Sequence, residues 1–175
     1  MTGRILSYFM KIFNRTIDIL NAVGTVWVAA MTVLICADIF GRALFNAPII
    51  GVPEIVRVSV VGLVWLQMAY TLKIGAHLRS NIILDRLPLK WQTIIEIIGC
   101  ILGILVFSLV VYTSWGVMIE GWRIKEFEGE LPVRVPVYPI RTIVLIGAFL
   151  TMVQFVIILG RNVYALLKGS LREGK

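Results

Sequence analysis

Four long uncharged stretches constrain the fold of this sequence more than any other feature. They cover residues 19–37, 58–72, 97–119 and 142–160, and they contain 19, 15, 23 and 19 residues. A helix needs about 20 predominantly apolar residues to cross a hydrocarbon layer about 30 Å thick. The 175 residues are 59% hydrophobic and 15% charged, more apolar than a water-soluble domain of this length. The sequence therefore predicts an all-α integral membrane protein with four transmembrane helices, formed as a single membrane domain over residues 1–175.

Turn residues and charged residues set the predicted bounds of the four spans. The first helix continues past its uncharged stretch to Phe45, where Asn46-Ala47-Pro48 ends it. The second stretch is short, so its helix includes residues from Glu54 onward, and Lys73 extends its side chain to the interface at the far end. The predicted spans are about 17–45, 54–73, 91–120 and 138–160.

The segments outside the spans mix basic and apolar residues. Residues 1–16 contain three Lys or Arg residues, which predicts a basic amphipathic lead-in on the cytoplasmic headgroups. A signal peptide is the alternative, but the apolar run continues to Ala37, which is too long for one. Residues 73–90 are too apolar for a solvated loop and predict a short interfacial helix between the second and third spans. Residues 161–175 are predicted to form a basic cytoplasmic tail.

The distribution of Lys and Arg predicts the orientation in the membrane. Segments 1–16, 73–90 and 161–175 together carry 11 of these residues, whereas the first connection and residues 120–141 carry 6. Because basic residues collect on the cytoplasmic side, both termini and the middle connection are predicted to be cytoplasmic. The same rule accounts for the net charge of +7, so no nucleic-acid partner is indicated.

The spans carry few of the groups that membrane chemistry requires. Near their centres the polar side chains are Gln67, Gln154 and scattered Ser, Thr and Tyr. The single histidine, His77, cannot supply two haem ligands. Cys36 and Cys100 have neither metal-site nor redox-pair spacing and are predicted to be buried small apolar residues. The sequence thus predicts no enzyme activity, no cofactor and no metal site.

The charged residues around the first connection are spaced for pairing. Asp38 and Arg42 lie four residues apart, and Glu54 and Arg57 lie three apart, which places each pair on one helix face. Charges this close to lipid are costly, so they should be paired, packed against protein or placed at the headgroups.

Two glycines in the third span also have informative spacing. Gly99 and Gly103 form a small-xxx-small pair, which predicts close approach of another helix, with chance spacing as the alternative.

Two blocks of this sequence resemble a known family. The block Gly-Arg-Ala-Leu-Phe-Asn-Ala-Pro at residues 41–48, followed by Glu54 and Arg57, resembles the small membrane subunit of tripartite ATP-independent periplasmic (TRAP) transporters, the DctQ-like family. The block Gly-Ala-His-Leu-Arg at residues 75–79, ahead of Leu-Pro at residues 87–88, is similar to a second landmark of that family. The length, the four spans and the predicted orientation match over nearly the whole chain.

This resemblance implies a role in solute transport across the bacterial inner membrane. In such systems a periplasmic binding protein captures an organic acid, and a large membrane subunit carries it inward on a sodium gradient. The small subunit is a multi-pass, non-catalytic protein that packs against the large subunit, contacts lipid and extends the fixed scaffold of an elevator-type transporter. The binding protein would dock only transiently.

The resemblance also assigns roles to individual residues. The outer corner and the subunit contact would be held by Arg42, Asn46, Pro48, Glu54 and Arg57, with Asp38 paired beside them. An inner interface segment would be held by His77 and Arg79. For these charged residues, pairing within the chain and headgroup contact remain open alternatives.

Three further alternatives remain open. The polar loop at residues 120–134 either contacts the periplasmic binding protein or is solvated. The chain itself could instead be a membrane anchor subunit of an enzyme complex, such as a respiratory dehydrogenase. A free-standing small transporter is the third alternative, although the spans lack a mid-membrane carboxylate free of a basic neighbour.

Overall fold

A computed structural model describes residues 2–75, 89–129 and 134–173. Side chains are described for residues 8–75, 91–129 and 134–167. Within these residues the chain forms four α-helices and one two-stranded antiparallel ladder. In chain order they are α1 (Thr2–Phe45), α2 (Val52–Lys73), α3 (Leu89–Ile124), β1 (Phe127–Glu128), β2 (Val135–Pro136) and α4 (Tyr138–Glu173).

Each of the four helices contains a segment that is long and apolar enough to cross a membrane. These segments are Tyr8–Phe45, Val52–Lys73, Trp91–Ile124 and Tyr138–Leu167. The predicted all-α fold with four such helices is therefore confirmed. The predicted interfacial helix falls mostly on residues 76–88, which lie outside the described residues. The cytoplasmic placement of the termini stays a prediction.

The helices differ strongly in length, and more than half of the excess of α1 over α2 lies at one end. At 1.5 Å per residue, α2 with 22 residues is about 33 Å long, whereas α1 with 44 residues is about 66 Å long. The last residue of α2, Lys73, contacts Asn14 and Asp18 of α1. The part of α1 that precedes Asn14 therefore extends about 18 Å beyond the end of α2. Residues 2–16, which the sequence assigns to a lead-in, are continuous with the helix of the first span.

The helices pack in the order α1–α2–α4–α3, because α1 packs mainly on α2, α2 on α4, and α4 on α3. In the most apolar segment of each helix, 28% of the residues of α2 and 33% of those of α4 are buried inside the chain. The corresponding values are 6% for α1 and 11% for α3. The two flanking helices therefore present most of their apolar surface to whatever surrounds the bundle.

Close contacts at glycines bring α4 against both of its neighbours, α2 and α3. A side chain at Gly147 of α4 would overlap the backbone carbonyl oxygen of Trp65 on α2. Gly103 of α3 lies against the ring of Phe155 on α4, where an added Cβ would be 2.7 Å from two ring carbons. Gly99, the other member of the predicted pair, is half-buried one turn away. Small residues thus allow the close helix approach that membrane bundles use in place of hydrophobic burial.

The two cysteines occupy different environments. Cys100 is fully buried in a cluster with Phe107 and Phe155, as predicted. Cys36, in contrast, is exposed on α1, so the prediction that it is buried is wrong for this chain. The physical reason is that α1 contacts the rest of the bundle over little of its surface, and an apolar sequence is equally suited to lipid-facing and core-facing positions.

Candidate functional site at the loop end of the bundle

The two described connections of the bundle lie at the same end, which we call the loop end. One joins α1 to α2 through residues 46–51, and the other joins α3 to α4 through residues 125–137. Near this end, Arg57 of α2 joins the second connection, since its Nη1 lies 3.3 Å from Oε1 of Glu128 on β1. Strand β2 also packs against α2. The loop end is therefore a single structured surface.

A left-handed residue ends α1 at the position that the sequence predicts. Asn46 has φ 50°, a conformation that Asn adopts more readily than most residues. The reversal brings the N–H of Ala47 to the carbonyl oxygen of Gly41, at 3.2 Å. A Cβ on Gly41 would lie 2.9 Å from the carbonyl oxygen of Ala47. Gly41 is therefore needed for the tight return of the chain over the end of α1.

Asp38 fastens the connection to α1. Its side chain is nearly buried, and its Oδ1 accepts a hydrogen bond of 2.8 Å from the N–H of Ile49. Its Oδ2 lies 2.8 Å from Nη2 of Arg42, one turn further along the same helix. The predicted pairing of Asp38 with Arg42 is present, and the arginine side chain remains half exposed. Asp38 thus has a structural role within the chain, while Arg42 also faces outward.

The start of α2 is set by backbone conformation instead of a side-chain cap. Gly51 occupies the N-cap with φ 94°, in the left-handed region that favours glycine, and its carbonyl oxygen accepts the N–H of Ile55 at 3.0 Å. Pro53 follows in the first turn, where its missing N–H costs nothing. Pro48 lies exposed in the connection before it.

The predicted pairing of Glu54 with Arg57 is wrong. Arg57 turns away from its own helix and binds Glu128, which is 71 residues later in the chain. Glu54 is half-buried, and its Oε2 has no hydrogen-bond partner within the described part of the chain. Glu54 lies three residues before Arg57 on the same helix, but Arg57 instead contacts the carboxylate of Glu128 in the α3–α4 connection.

The α3–α4 connection is folded back by one strong ion pair. Glu126 binds Arg141 at the start of α4 through two bonds, both 2.6 Å, in the side-by-side geometry that guanidinium and carboxylate groups favour. Nearby, the Nε1–H of Trp122 donates to the hydroxyl of Thr142 at 2.9 Å, and its ring packs on Tyr138. This segment was predicted only as a polar loop, and neither the Glu126–Arg141 pair nor the two-residue strands were predicted.

The opposite end of the bundle has its own polar contacts. Lys73 Nζ lies 2.5 Å from Oδ1 of Asp18 and donates to the carbonyl oxygen of Asn14 at 3.2 Å. Lys73 therefore links α2 to α1 as well as marking the end of the span. Between α3 and α4, the amide of Asn162 donates to Glu96 at 3.0 Å. The predicted inner-interface residues His77 and Arg79 lie outside the described residues.

The described polar groups of the loop end make contacts within the chain that hold its segments in place. Among its described ion pairs, Arg57–Glu128 and Glu126–Arg141 each join the α3–α4 connection to a helix, whereas Asp38–Arg42 and Glu120–Arg123 lie within one helix. Among the described residues no group of three or more His, Cys, Asp or Glu side chains could hold a metal ion. The loop end is a folded surface with exposed arginine side chains.

These features define a class of protein: a four-helix membrane protein with two structured connections at the same end of the bundle. Comparison with protein families gives the more specific assignment. The family model for the DctQ component of tripartite ATP-independent periplasmic transporters matches residues 31–164. The chain belongs to this family and is a small membrane component of a TRAP transporter. No curated protein and no solved structure matched it in the same comparisons.

The match covers the residues that build the loop end. It begins within α1, includes both connections and ends within α4. Proteins of this family work with a large membrane subunit and a periplasmic binding protein. The resemblance found in the first connection and the family match therefore agree.

Proposed function

We propose that this chain is the non-catalytic small subunit of a sodium-driven, binding-protein-dependent secondary transporter for an organic acid in the bacterial inner membrane. It packs against the large subunit and extends the scaffold past which an elevator-type transport domain moves. The observation that carries the proposal is the family match over residues 31–164. The same match argues against an anchor subunit of an enzyme complex.

The arrangement of the helices supports a scaffold role. Both α1 and α3 leave most of their apolar surface uncovered by the chain itself. On α1 the exposed fractions of Val26, Val33 and Leu44 are each 70%. A bilayer covers such a surface without penalty, and a second membrane protein covers it equally well. We infer that the large subunit occupies part of it.

We place the subunit contact at the loop end of α1 and α2. Arg42 and Arg57 have side chains that are 51% and 77% exposed, and each is already oriented by a carboxylate of this chain. An oriented guanidinium is well suited to a partner's carboxylate or backbone carbonyl. In this proposal Asp38, Asn46, Pro48 and Glu54 shape the connection that presents the two arginines. His77 and Arg79 are assigned to a second contact at the opposite end.

The periplasmic binding protein would meet the same loop end. With both termini cytoplasmic, the two described connections face the periplasm. The Glu126–Arg141 pair and the β1–β2 ladder give this surface a fixed shape. A fixed shape favours transient docking, because little loop ordering is needed on contact.

Affinity purification of the full-length chain from its native membranes tests the proposal. The tagged chain is extracted in mild detergent, and co-purified proteins are identified by mass spectrometry. We expect one much larger polytopic membrane protein, with a periplasmic binding protein joining only when its substrate is present. Recovery of a flavin or iron–sulfur subunit instead would overturn the proposal.

A further inference from the structure

A cavity opens at the loop end between α2 and α3. Its volume is about 390 Å³, and its floor is formed by Ile140 and Val144 of α4. Its opposite walls include Val61 on α2 and Val117 on α3. One turn deeper on α2, Trp65 meets Phe107 of α3 edge-on, with ring centroids 6.1 Å apart. The helices are therefore joined below the cavity and separate at its level.

The cavity is open to the side of the bundle. Val61 is 45% exposed and Val117 is 46% exposed, although both lie on membrane-spanning segments. Apart from Ser114, the lining residues at this depth are apolar, and the opening faces hydrocarbon. In a bilayer, such a space takes up an apolar chain that reaches it from the surrounding lipid.

The mouth of the cavity carries one cation and one anion that are weakly joined. Arg57 and Glu128 share a single contact of 3.3 Å, and their side chains are 77% and 40% exposed. An exposed pair of this kind is held weakly and opens readily. Arg141 also lines the cavity, but Glu126 holds its guanidinium through two bonds of 2.6 Å, so its charge is already matched.

Aromatic residues place this mouth at headgroup level. Trp122 and Tyr138 pack together at the loop ends of α3 and α4, with ring centroids 4.6 Å apart. Such residues collect at the boundary between hydrocarbon and water. The cavity therefore presents a polar mouth at the headgroups and an apolar interior below it.

We propose that this cavity binds one phospholipid with an ammonium-bearing headgroup of the phosphatidylethanolamine type. One acyl chain lies between Val61 and Val117 over α4. The phosphate binds one edge of the Arg57 guanidinium, whose other N–H donors remain for the subunit contact proposed above. The headgroup ammonium binds the carboxylate of Glu128. Arginine is well suited to phosphate, and the two charges of the headgroup match the two charges of the mouth. An anionic lipid of the phosphatidylglycerol type would leave Glu128 without a cation.

Lipid retention by cavity variants tests the site. Val117→Phe fills the space between the walls without changing any charge. Val106→Phe is the matched control, because Val106 lies on the same helix and nearly the same face, is 52% exposed and does not line the cavity. The full-length chain is purified in mild detergent with its bound partners, and native mass spectrometry counts the phospholipids on each complex. We expect the wild type and Val106→Phe to retain one tightly bound phospholipid and Val117→Phe to lose it.

The headgroup assignment is tested separately. Delipidated protein is titrated with phosphatidylethanolamine or phosphatidylglycerol of the same acyl composition. We expect the wild type to prefer phosphatidylethanolamine by about tenfold, the scale of one charge-assisted contact. Glu128→Gln should remove that preference while the acyl chain still binds.

Several outcomes would overturn the lipid site. They are wild-type protein without bound phospholipid, equal retention by the two phenylalanine variants, and equal affinity of the wild type for both lipids. If the wild type carries no phospholipid and Val117→Phe releases the large subunit, the cavity holds a side chain of that subunit. That result would reject the lipid site and leave the proposed function standing, because lipid retention and protein partners are counted separately.

Discussion

Replacing Gly147 with alanine probes the contact between the two inner helices. A Cβ at this position would overlap the carbonyl oxygen of Trp65 and lie 2.8 Å from its carbonyl carbon. Ordinary carbon contacts are about 3.5–4.0 Å. Because the obstacle is backbone, it cannot rotate aside as a side chain can. Alanine therefore has to push α2 away from α4.

The size of the effect follows from two opposing terms. Overpacking costs about 1–3 kcal/mol, and a backbone obstacle places this site near 3 kcal/mol. Alanine recovers about 1 kcal/mol relative to glycine in a helix interior. We expect Gly147→Ala to lower the free energy of unfolding by about 2 kcal/mol, the difference between these terms.

Gly116 on α3 provides the matched control. A Cβ there would meet nothing within 4 Å, so Gly116→Ala should keep the helix gain of about 1 kcal/mol. The two variants should then differ by about 3 kcal/mol, or about 6–12 °C in melting temperature for a chain of this length. Gly103→Ala should fall between them, because its obstacle is the ring of Phe155, which can shift.

Thermal unfolding of the full-length chain measures this order. Apparent midpoints are compared in one detergent at one scan rate, because irreversible unfolding makes them rate-dependent. If Gly147→Ala unfolds at the same temperature as Gly116→Ala, or above it, the close approach of α2 and α4 is refuted.

Three further predictions concern assembly, the second loop and orientation. Arg42→Ala and Arg57→Ala should each reduce the amount of co-purified large subunit about tenfold. Arg123→Ala is the control, because it removes another exposed arginine at the loop end and should leave that amount unchanged. Equal recovery of the large subunit with all three variants would contradict the subunit contact. Glu126→Gln leaves one acceptor oxygen, so one of the two bonds to the arginine at the start of α4 should be lost, at a cost of about 1–3 kcal/mol, and proteolysis of the α3–α4 connection should be faster; unchanged cleavage would rule out this role. Reporters fused at Gly129 and at the C-terminus should lie on opposite sides of the membrane, and the same side for both would exclude the predicted orientation.

The features predicted correctly from the sequence are those fixed by local rules. Hydrocarbon demands long helices whose backbone bonds are satisfied internally, so four apolar stretches predict four helices. The spacing of Asp38 and Arg42 places them on one helix face, and the structure shows them paired. Asn46 next to Ala47-Pro48 is a local stop signal, and α1 ends directly before it.

The features that the sequence did not predict depend on distant contacts. Arg57 had a carboxylate at the right spacing on its own helix, yet its partner comes from a connection 71 residues away. Nothing local distinguishes those two carboxylates. The exposure of Cys36 was missed for a related reason, since burial cannot be read from hydrophobicity when lipid and core are equally apolar. Apolar residues such as Phe127 and Val135, within an otherwise polar loop, were the available signal for the β1–β2 ladder.

The short helix α2 has a consequence for the membrane in which this protein works. Each of its ends has a polar contact with a neighbouring segment, the weak one from Arg57 to Glu128 near the loop end and the one from Lys73 to Asp18 at the other. Its length of about 33 Å is close to the thickness of a bilayer's hydrocarbon core. The longer helices can adapt to a thicker bilayer with their extra turns, but α2 has none to offer. Bilayer thickness should therefore act on this subunit first through α2, so that lipids with longer acyl chains strain its two end contacts before they disturb the rest of the bundle.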